Sequence, residues 1–205
     1  MGGNASSSAA VAARGIYETS MDRRFLARRG LFGSSASSNS ATSSGTKTPA
    51  GTVENGVAAA VGVGASSGLP TSSDDGIITM NFHQVNEDGA GPLTASVDGT
   101  SGGSDPSAFQ QAAVTSNVPG LGIGGLSLAT TTDFPVSVQM PAGMTCSGSV
   151  GGATNVCIVK VQNSALAGPF GGSAAFTQSV AAKKRAIEYN LSKRRFARAL
   201  ADGRA

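Results

Sequence analysis

Few side chains in this sequence could carry out chemistry. Its 205 residues include one His, His83, and two Cys, too few for the three or four His and Cys ligands of a usual zinc site. A serine hydrolase is disfavoured, because there is no GxSxG motif and a single His would have to serve as the base. The seven carboxylates between residues 74 and 173 are typical of solvated loops and turns. We therefore assign no catalytic residue.

The two cysteines have a spacing that suits a disulfide. Cys146 and Cys157 lie eleven positions apart on two predicted neighbouring strands, so a bond between them would close a loop of hairpin size. On the chain-entropy argument such a bond stabilises a domain by about 2–3 kcal/mol. We predict the disulfide, and two buried thiols are the alternative.

Short strands are the elements that must position these residues. Residues 77–85 (IITMNFHQV) alternate with period two, one face apolar and the other mixed, which is typical of a strand. Turn-forming Gly, Pro, Asn and Asp separate further predicted strands at residues 93–97, 134–140, 146–150, 156–162 and 174–178. The pattern predicts an all-β domain at residues 74–180, an antiparallel immunoglobulin-like β-sandwich.

Charge and composition set the two ends apart from this centre. Residues 1–73 carry six Lys and Arg against three Asp and Glu, residues 74–173 one against seven, and residues 174–205 eight against two. The first 73 residues are rich in Ser, Ala, Gly and Thr, which bury too little apolar surface to order a chain. We predict a low-complexity, mostly disordered arm there, with a linker at 33–51 and a transient basic amphipathic helix at 16–32.

The basic tail at residues 181–205 has a helical pattern. Ile187, Leu191, Phe196 and Leu200 recur at intervals near four among Lys and Arg, which predicts an amphipathic helix over residues 179–200. Contact with an anionic surface is one role for it, and a simply solvated helix is the other. We expect no specific nucleic-acid binding, because the basic residues are divided between the two ends. No apolar run has the length of a transmembrane segment.

Four short motifs occur in an order that is specific when they are taken together. They are HQVNEDGAGP starting at His83, MPAGMTC ending at Cys146, NVCIVKVQN around Cys157 and AGPFGG around Phe170. On these motifs, residues 74–190 resemble the Egh-type virulence-factor family of pathogenic fungi. The resemblance implies a virulence factor that acts at the appressorium stage, when the fungus penetrates its host. It implies no activity, so we expect a protein that is non-catalytic as the chain stands and needs no cofactor.

A weaker resemblance, to lytic polysaccharide monooxygenase-like domains, implies an alternative function. In those enzymes an amino-terminal His binds copper through its amine and its ring, a second His completes the site, and an aromatic residue lies in the axial position. Carried over, His83 is the second metal ligand and Phe170 the axial aromatic residue. Copper is expected only if an amino-terminal His is restored, because this sequence has no His besides His83. A structural role for His83 is the other interpretation.

The family resemblance also implies a location and a partner. Members look like secreted or cell-wall-associated proteins, and a host or fungal cell-wall polysaccharide is the partner that this location favours. The sequence opens MGGNASSSAAVAARG, which has neither the charged and apolar regions nor the cleavage site of a signal peptide. We therefore keep a cytoplasmic location in the appressorium as the alternative.

Overall fold

The computed structural model of the protein describes residues 41–49, 56–121 and 126–202. The strands in these ranges are β1 Ala41–Thr42, β2 Thr46–Lys47, β3 Ile77–Gln84, β4 Thr94–Asp98, β5 Phe109–Asn117, β6 Thr132–Gln139, β7 Gly148–Val150, β8 Ala153–Gln162 and β9 Gly171–Thr177. The α-helices are α1 Gly56–Ala60, α2 Val63–Ser67 and α3 Val180–Ala201. Two 3₁₀ turns lie at Glu87–Gly89 and Pro106–Ala108.

The strands form one curled sheet whose two halves face each other. In the half that we call sheet A, β3 pairs with β6, and β6 pairs with residues 113–116 of β5. In the half that we call sheet B, β9, β8, β4 and residues 109–112 of β5 are neighbours in that order, and β7 pairs with residues 153–156 of β8 on the side opposite β9. Strand β5 thus belongs to both halves, and a register shift between Val114 and Ser116 lets it turn from one to the other.

Alternation along the strands builds the core between the two halves. Ile78 and Met80 on β3 face Val97 and Val159 of sheet B across a buried cluster, and Phe176 of β9 has no exposed surface. Among the strands of the described residues, all pairings are antiparallel except that of β1 with β5. The predicted all-β, antiparallel sandwich with a basic C-terminal helix is therefore confirmed in the described residues.

Helix α3 packs on the sandwich through its first half alone. Ser179 caps its start by accepting a hydrogen bond from the backbone N–H of Ala182, 3.1 Å away. Ala182 and Ala186 are buried, and the Arg185 guanidinium lies 2.9 Å from the Asp75 carboxylate. From residue 191 onward nearly every side chain is exposed. The end of the helix therefore projects from the domain.

Part of the predicted amino-terminal arm takes part in the sheet. Strands β1 and β2 lie where the ends of β5 and β6 separate, and the Ser43 N–H donates to the Asn117 carbonyl at 2.8 Å. Gly45 packs so closely on the Phe134 ring that a Cβ there would overlap it. The linker prediction missed these two strands. The predicted helix at 16–32 lies outside the described residues, and the domain boundary at residue 74 stays a prediction.

Candidate functional site

His83 lies on the outer face of sheet A, turned away from the core. It follows Thr79 and Asn81 on the exposed side of β3, while Ile78 and Met80 point inward. Directly across the β3–β6 pair lies Asp133, whose Oδ1 is 2.6 Å from the imidazole Nδ1. The two side chains keep 27% and 33% of their surface exposed. The arrangement gives the ring a carboxylate partner that fixes its orientation.

Phe170 is positioned by a different part of the structure. It immediately precedes β9, and its backbone N–H and C=O both bond to Asn163, at 2.9 Å from the side-chain oxygen and 2.9 Å from the backbone nitrogen. Asn163 is buried and also donates to the carbonyls of Asp88 and Ala90, so it ties three loops together at this end of the sandwich. Phe170 thus belongs to the loop framework of sheet B, whereas His83 lies on sheet A.

His83, the predicted metal ligand, has one other possible ligand beside it, the Asp133 carboxylate. Within residues 41–49, 56–121 and 126–202, no group of three or more His, Cys, Asp or Glu side chains has the geometry to hold an ion. The described residues around His83 therefore supply one imidazole and one carboxylate. A copper site of three nitrogen ligands needs two nitrogens in addition to the one that the His83 ring supplies.

The two cysteines form the predicted disulfide. Cys146, just before β7, is bonded to Cys157 on β8, with the two Cα atoms 4.9 Å apart. Both residues are buried and belong to the core cluster. The prediction is confirmed, and the alternative of two buried thiols is wrong. The bond holds the β7–β8 hairpin against the core of the sandwich.

Asp98 is a buried carboxylate that orders the loop following β4. Its oxygens accept hydrogen bonds from the backbone N–H groups of Thr100, Ser101 and Gly103, at 2.7 to 2.9 Å, and from the Ser101 hydroxyl at 2.5 Å. Burial alone would raise the pKa of Asp98, but these bonds, led by that of the Ser101 hydroxyl, lower it from the usual 3.8 to about 2. The group is a structural anion that fixes residues 99–103.

This loop forms one wall of a groove on the outer face of sheet B. The groove has a volume of about 870 Å³. Its floor carries six polar side chains from four neighbouring strands: Thr94, Ser96, Gln111, Lys160, Gln162 and Ser173. Pairing in the sheet aligns Ser173, Lys160, Ser96 and Gln111 in a single row across the strands.

Five of the six polar side chains of the groove are not used by the protein itself, and the sixth, Thr94, donates its hydroxyl to the Gln162 carbonyl at 3.2 Å. In the described part of the chain, the side chains of Ser96, Gln111, Lys160, Gln162 and Ser173 have no hydrogen-bond or ion-pair partner in the protein. On the outer face of sheet A, by contrast, four of these groups are bonded in pairs: the hydroxyls of Thr79 and Ser137 are 2.9 Å apart, and His83 contacts Asp133. The two outer faces therefore differ in their capacity to bind a ligand.

Sequence reasoning missed this groove. Its only sequence signal is the alternation of Lys160 and Gln162 with the buried Val159 and Val161 along β8, which predicts a polar outer face. Alternation says nothing about which strands lie next to one another. The row of Ser173, Lys160, Ser96 and Gln111 follows only from the pairing of the strands.

The fold and its surface define a disulfide-linked β-sandwich with a polar groove on one outer face. The chain belongs to the Egh16-like virulence factor family, which it matches over residues 3–171. It is 74% identical over 133 residues to the appressoria-specific virulence factor GAS2 of Pyricularia oryzae, a match covering 65% of this chain and 46% of GAS2. It is 39% identical over 129 residues to GAS1 of the same species, covering 61% of this chain and 50% of GAS1.

The chain spans about half the length of the curated relatives that it matches. No solved structure matches it. None of the helices in the described ranges has both the length and the apolar character needed to cross a membrane.

Proposed function

We propose that this chain acts at the appressorium during host penetration, as a virulence factor that works by binding and not by turnover. The observation that carries the proposal is the 74% identity to a relative named an appressoria-specific virulence factor. An open groove with uncommitted polar groups supports the binding mode, since such a surface suits the capture of a partner.

A chimera in which this chain replaces part of a relative tests the proposal. In a Pyricularia oryzae strain lacking GAS2, the whole chain would replace the matched 133-residue stretch of GAS2. We expect the chimera to restore host penetration, and the same chimera with His83→Ala to restore it equally. A chimera that accumulates normally without restoring penetration would contradict the virulence role. Loss of penetration with His83→Ala, at unchanged stability, would assign the function to the outer face of sheet A and favour the copper-dependent candidate described below.

A secreted or cell-wall-associated location is part of this proposal. The disulfide between Cys146 and Cys157 supports it, because disulfides form and persist mainly in oxidising compartments. The alternative is a cytoplasmic location in the appressorium. Fractionation of appressoria that produce the tagged chimera separates the two: recovery in the wall or medium supports secretion, and recovery in the cytosol supports the alternative.

Copper-dependent oxidation of polysaccharide is the second candidate function. One observation favours it: Asp133 contacts Nδ1 of His83, and a carboxylate on the other ring nitrogen is a common partner of metal-binding histidines. The activity requires further nitrogen ligands from an amino-terminal His that this sequence does not contain. Calorimetric titration of copper into a chain extended to such a His tests it, and failure to bind copper tightly removes this candidate.

The basic helix α3 offers a second binding surface. It carries seven Lys and Arg against one Glu, and its last half is exposed. We propose that it docks on an anionic surface such as acidic lipid or a wall polyanion. Helix α3 begins at Val180, beyond residue 171, where the family match ends.

A further inference from the structure

We propose that the groove on the outer face of sheet B binds a neutral, hydroxyl-rich polysaccharide strand. This inference rests on the proposed function in that it assumes a protein acting by binding, and it names the ligand class.

A ligand on the face of a sheet meets side chains and not backbone groups. In sheet B the backbone N–H and C=O groups of β4 are used in pairing with β5 on one side and β8 on the other. A peptide that recognises a sheet by adding a strand needs an open edge, and the centre of the groove has none. The occupant must therefore bond to hydroxyl, amide and ammonium groups that project from alternate residues.

The donors and acceptors in the groove match a polyhydroxylated ligand. Gln111 and Gln162 each present both a donor and an acceptor, the Ser96 and Ser173 hydroxyls do the same, and Lys160 adds a donor. A sugar hydroxyl also donates and accepts, so each one can be satisfied by this mixed set. Groups of one kind alone would instead favour an ionic ligand.

The charge of the groove disfavours a cationic ligand and does not require an anionic one. Lys160 is the only Lys or Arg between residues 74 and 173, and no carboxylate lines the groove. Asp98, at the end of β4, is 0% exposed and uses both oxygens on the loop at residues 100–103. One cation among neutral groups is a weak field compared with the clusters that bind polyanions.

The end of the groove next to the loop wall is apolar. Phe109, Ile158, Val150 and Pro106 lie together there, beyond the row of polar side chains. Phe109 pairs with Asp98 in the sheet, one row of side chains away from Gln111 and Ser96. The C–H faces of a sugar ring would pack on this apolar end while its hydroxyl groups bond to the polar row. A free ion or a small acid has no apolar face that could pack on this surface.

The size of the groove suits a polymer segment. Its floor extends from residue 158 to residue 162 of β8, about 13 Å at about 3.3 Å per residue. Across β9, β8, β4 and β5 it measures about 14 Å at a spacing of about 4.8 Å between strands. The volume of about 870 Å³ is near the upper end of usual ligand sites. The groove thus accommodates several sugar units rather than one.

Calorimetric titration of the full chain with defined oligosaccharides tests the inference. The probes are the hexamers of β-1,4-glucan, β-1,3-glucan and chitin, with hexagalacturonate as the anionic comparison. We expect at least one neutral hexamer to bind. Lys160→Ala should weaken its binding at least about tenfold and Gln111→Ala about fivefold, because each removes hydrogen bonds to the ligand. Ser96→Trp, which fills the centre of the groove, should abolish binding.

Asn81→Ala is the matched control, since Asn81 is an exposed amide on the outer face of sheet A, outside the groove. It should bind like the unchanged chain, and thermal unfolding should show that all four variants are folded. The inference is overturned if no neutral hexamer binds, if only hexagalacturonate binds, or if the three groove variants bind as tightly as Asn81→Ala.

The same variants separate this inference from the proposed function. A Ser96→Trp chimera that no longer binds sugar but still restores penetration would overturn the role of the groove in virulence and leave the virulence factor itself intact. An unchanged chimera that binds sugar and fails to restore penetration would contradict the proposed virulence role and leave the inference about sugar binding intact.

Discussion

Asp133 lies directly opposite His83 across two paired strands, with its Oδ1 2.6 Å from the imidazole Nδ1. The contact joins residues 50 positions apart in the chain. It turns the only His of the sequence into half of a cross-strand pair on the outer face of sheet A. The interpretation of His83 as a structural residue therefore has a definite partner, and the contribution of the pair to stability can be measured.

Replacing His83 by Ala should reduce the free energy of unfolding by less than about 1 kcal/mol, because pairs that remain partly exposed contribute little. A double-mutant cycle with Asp133→Ala, followed by urea unfolding, should give a coupling of about 0.5 kcal/mol. Thr79→Ala is the comparison, because it removes another cross-strand contact, that of Thr79 with Ser137, from the same outer face. A loss above about 3 kcal/mol would show that His83 has a larger structural role than a surface pair.

The free energy of unfolding should decrease in acid because Asp98 becomes protonated there. The pKa of this group is about 2 in the folded protein and 3.8 ordinarily, so the folded state binds the proton more weakly than the unfolded chain. The contribution, about 1–2 kcal/mol, is complete above about pH 5 and is lost as the pH falls through 3.8 towards 2. Asp98→Asn should unfold at a lower urea concentration near neutral pH and show a flatter dependence between pH 5 and pH 2.

Asp74→Asn provides the comparison for Asp98, because Asp74 is an exposed carboxylate of the same type. It should leave both the midpoint at neutral pH and the acid dependence unchanged. An Asp98→Asn protein with the same acid dependence as the unchanged chain would show that other carboxylates cause the acid sensitivity.

Removal of the disulfide should destabilise the domain without changing its fold. The bond closes a loop with a sequence separation of 11, for which the chain-entropy relation predicts a loss of about 2–3 kcal/mol. The measurement is urea unfolding of the chain with Cys146→Ala and Cys157→Ala, compared with the oxidised chain. Circular dichroism should show unchanged strand content. A double variant as stable as the oxidised chain would indicate that the bond adds no stability.

Helix α3 should bind anionic membranes in a salt-sensitive way. Lys193, Arg194, Arg195 and Arg198 are exposed on its projecting half. Raising the ionic strength from about 0.05 M to about 0.5 M should release the chain from phosphatidylserine vesicles, because it shortens the screening length severalfold. Co-sedimentation measures this, with vesicles of neutral lipid as the control.

Replacing these four cations by Gln should remove the binding while circular dichroism shows the helix retained. Binding that survives both the substitutions and high salt would assign the contact to another surface. In that case α3 would be a solvated helix, the other interpretation of its sequence.

Local patterns were sufficient to predict several parts of the fold. Alternation in IITMNFHQ places His83 on the side of β3 opposite Met80, and this is where the structure has it. The recurrence of Ile187, Leu191, Phe196 and Leu200 predicts a helix over residues 179–200, and α3 spans Val180–Ala201. Both predictions depend on residues only a few positions apart.

Strand β5 shows where such patterns fail. Its sequence, FQQAAVTSN, has no regular alternation, because the strand pairs with β4 in its first half and with β6 in its second. Its side chains therefore change environment at the bulge between Val114 and Ser116. The strand was missed for this reason. The contribution of Gly45 was missed because its small size matters only against Phe134, far away in sequence.

By itself the sequence determined the all-β character, the basic helix, the pairing of its two cysteines and the family, since each depends on composition, short-range periodicity or motif order. Only the tertiary structure decided that Asp133 faces His83 and that Gln111, Ser96, Lys160 and Ser173 form one row. These neighbours are set by strand register, and register is fixed by burying the apolar faces of all the strands together. A short stretch of chain does not contain that information.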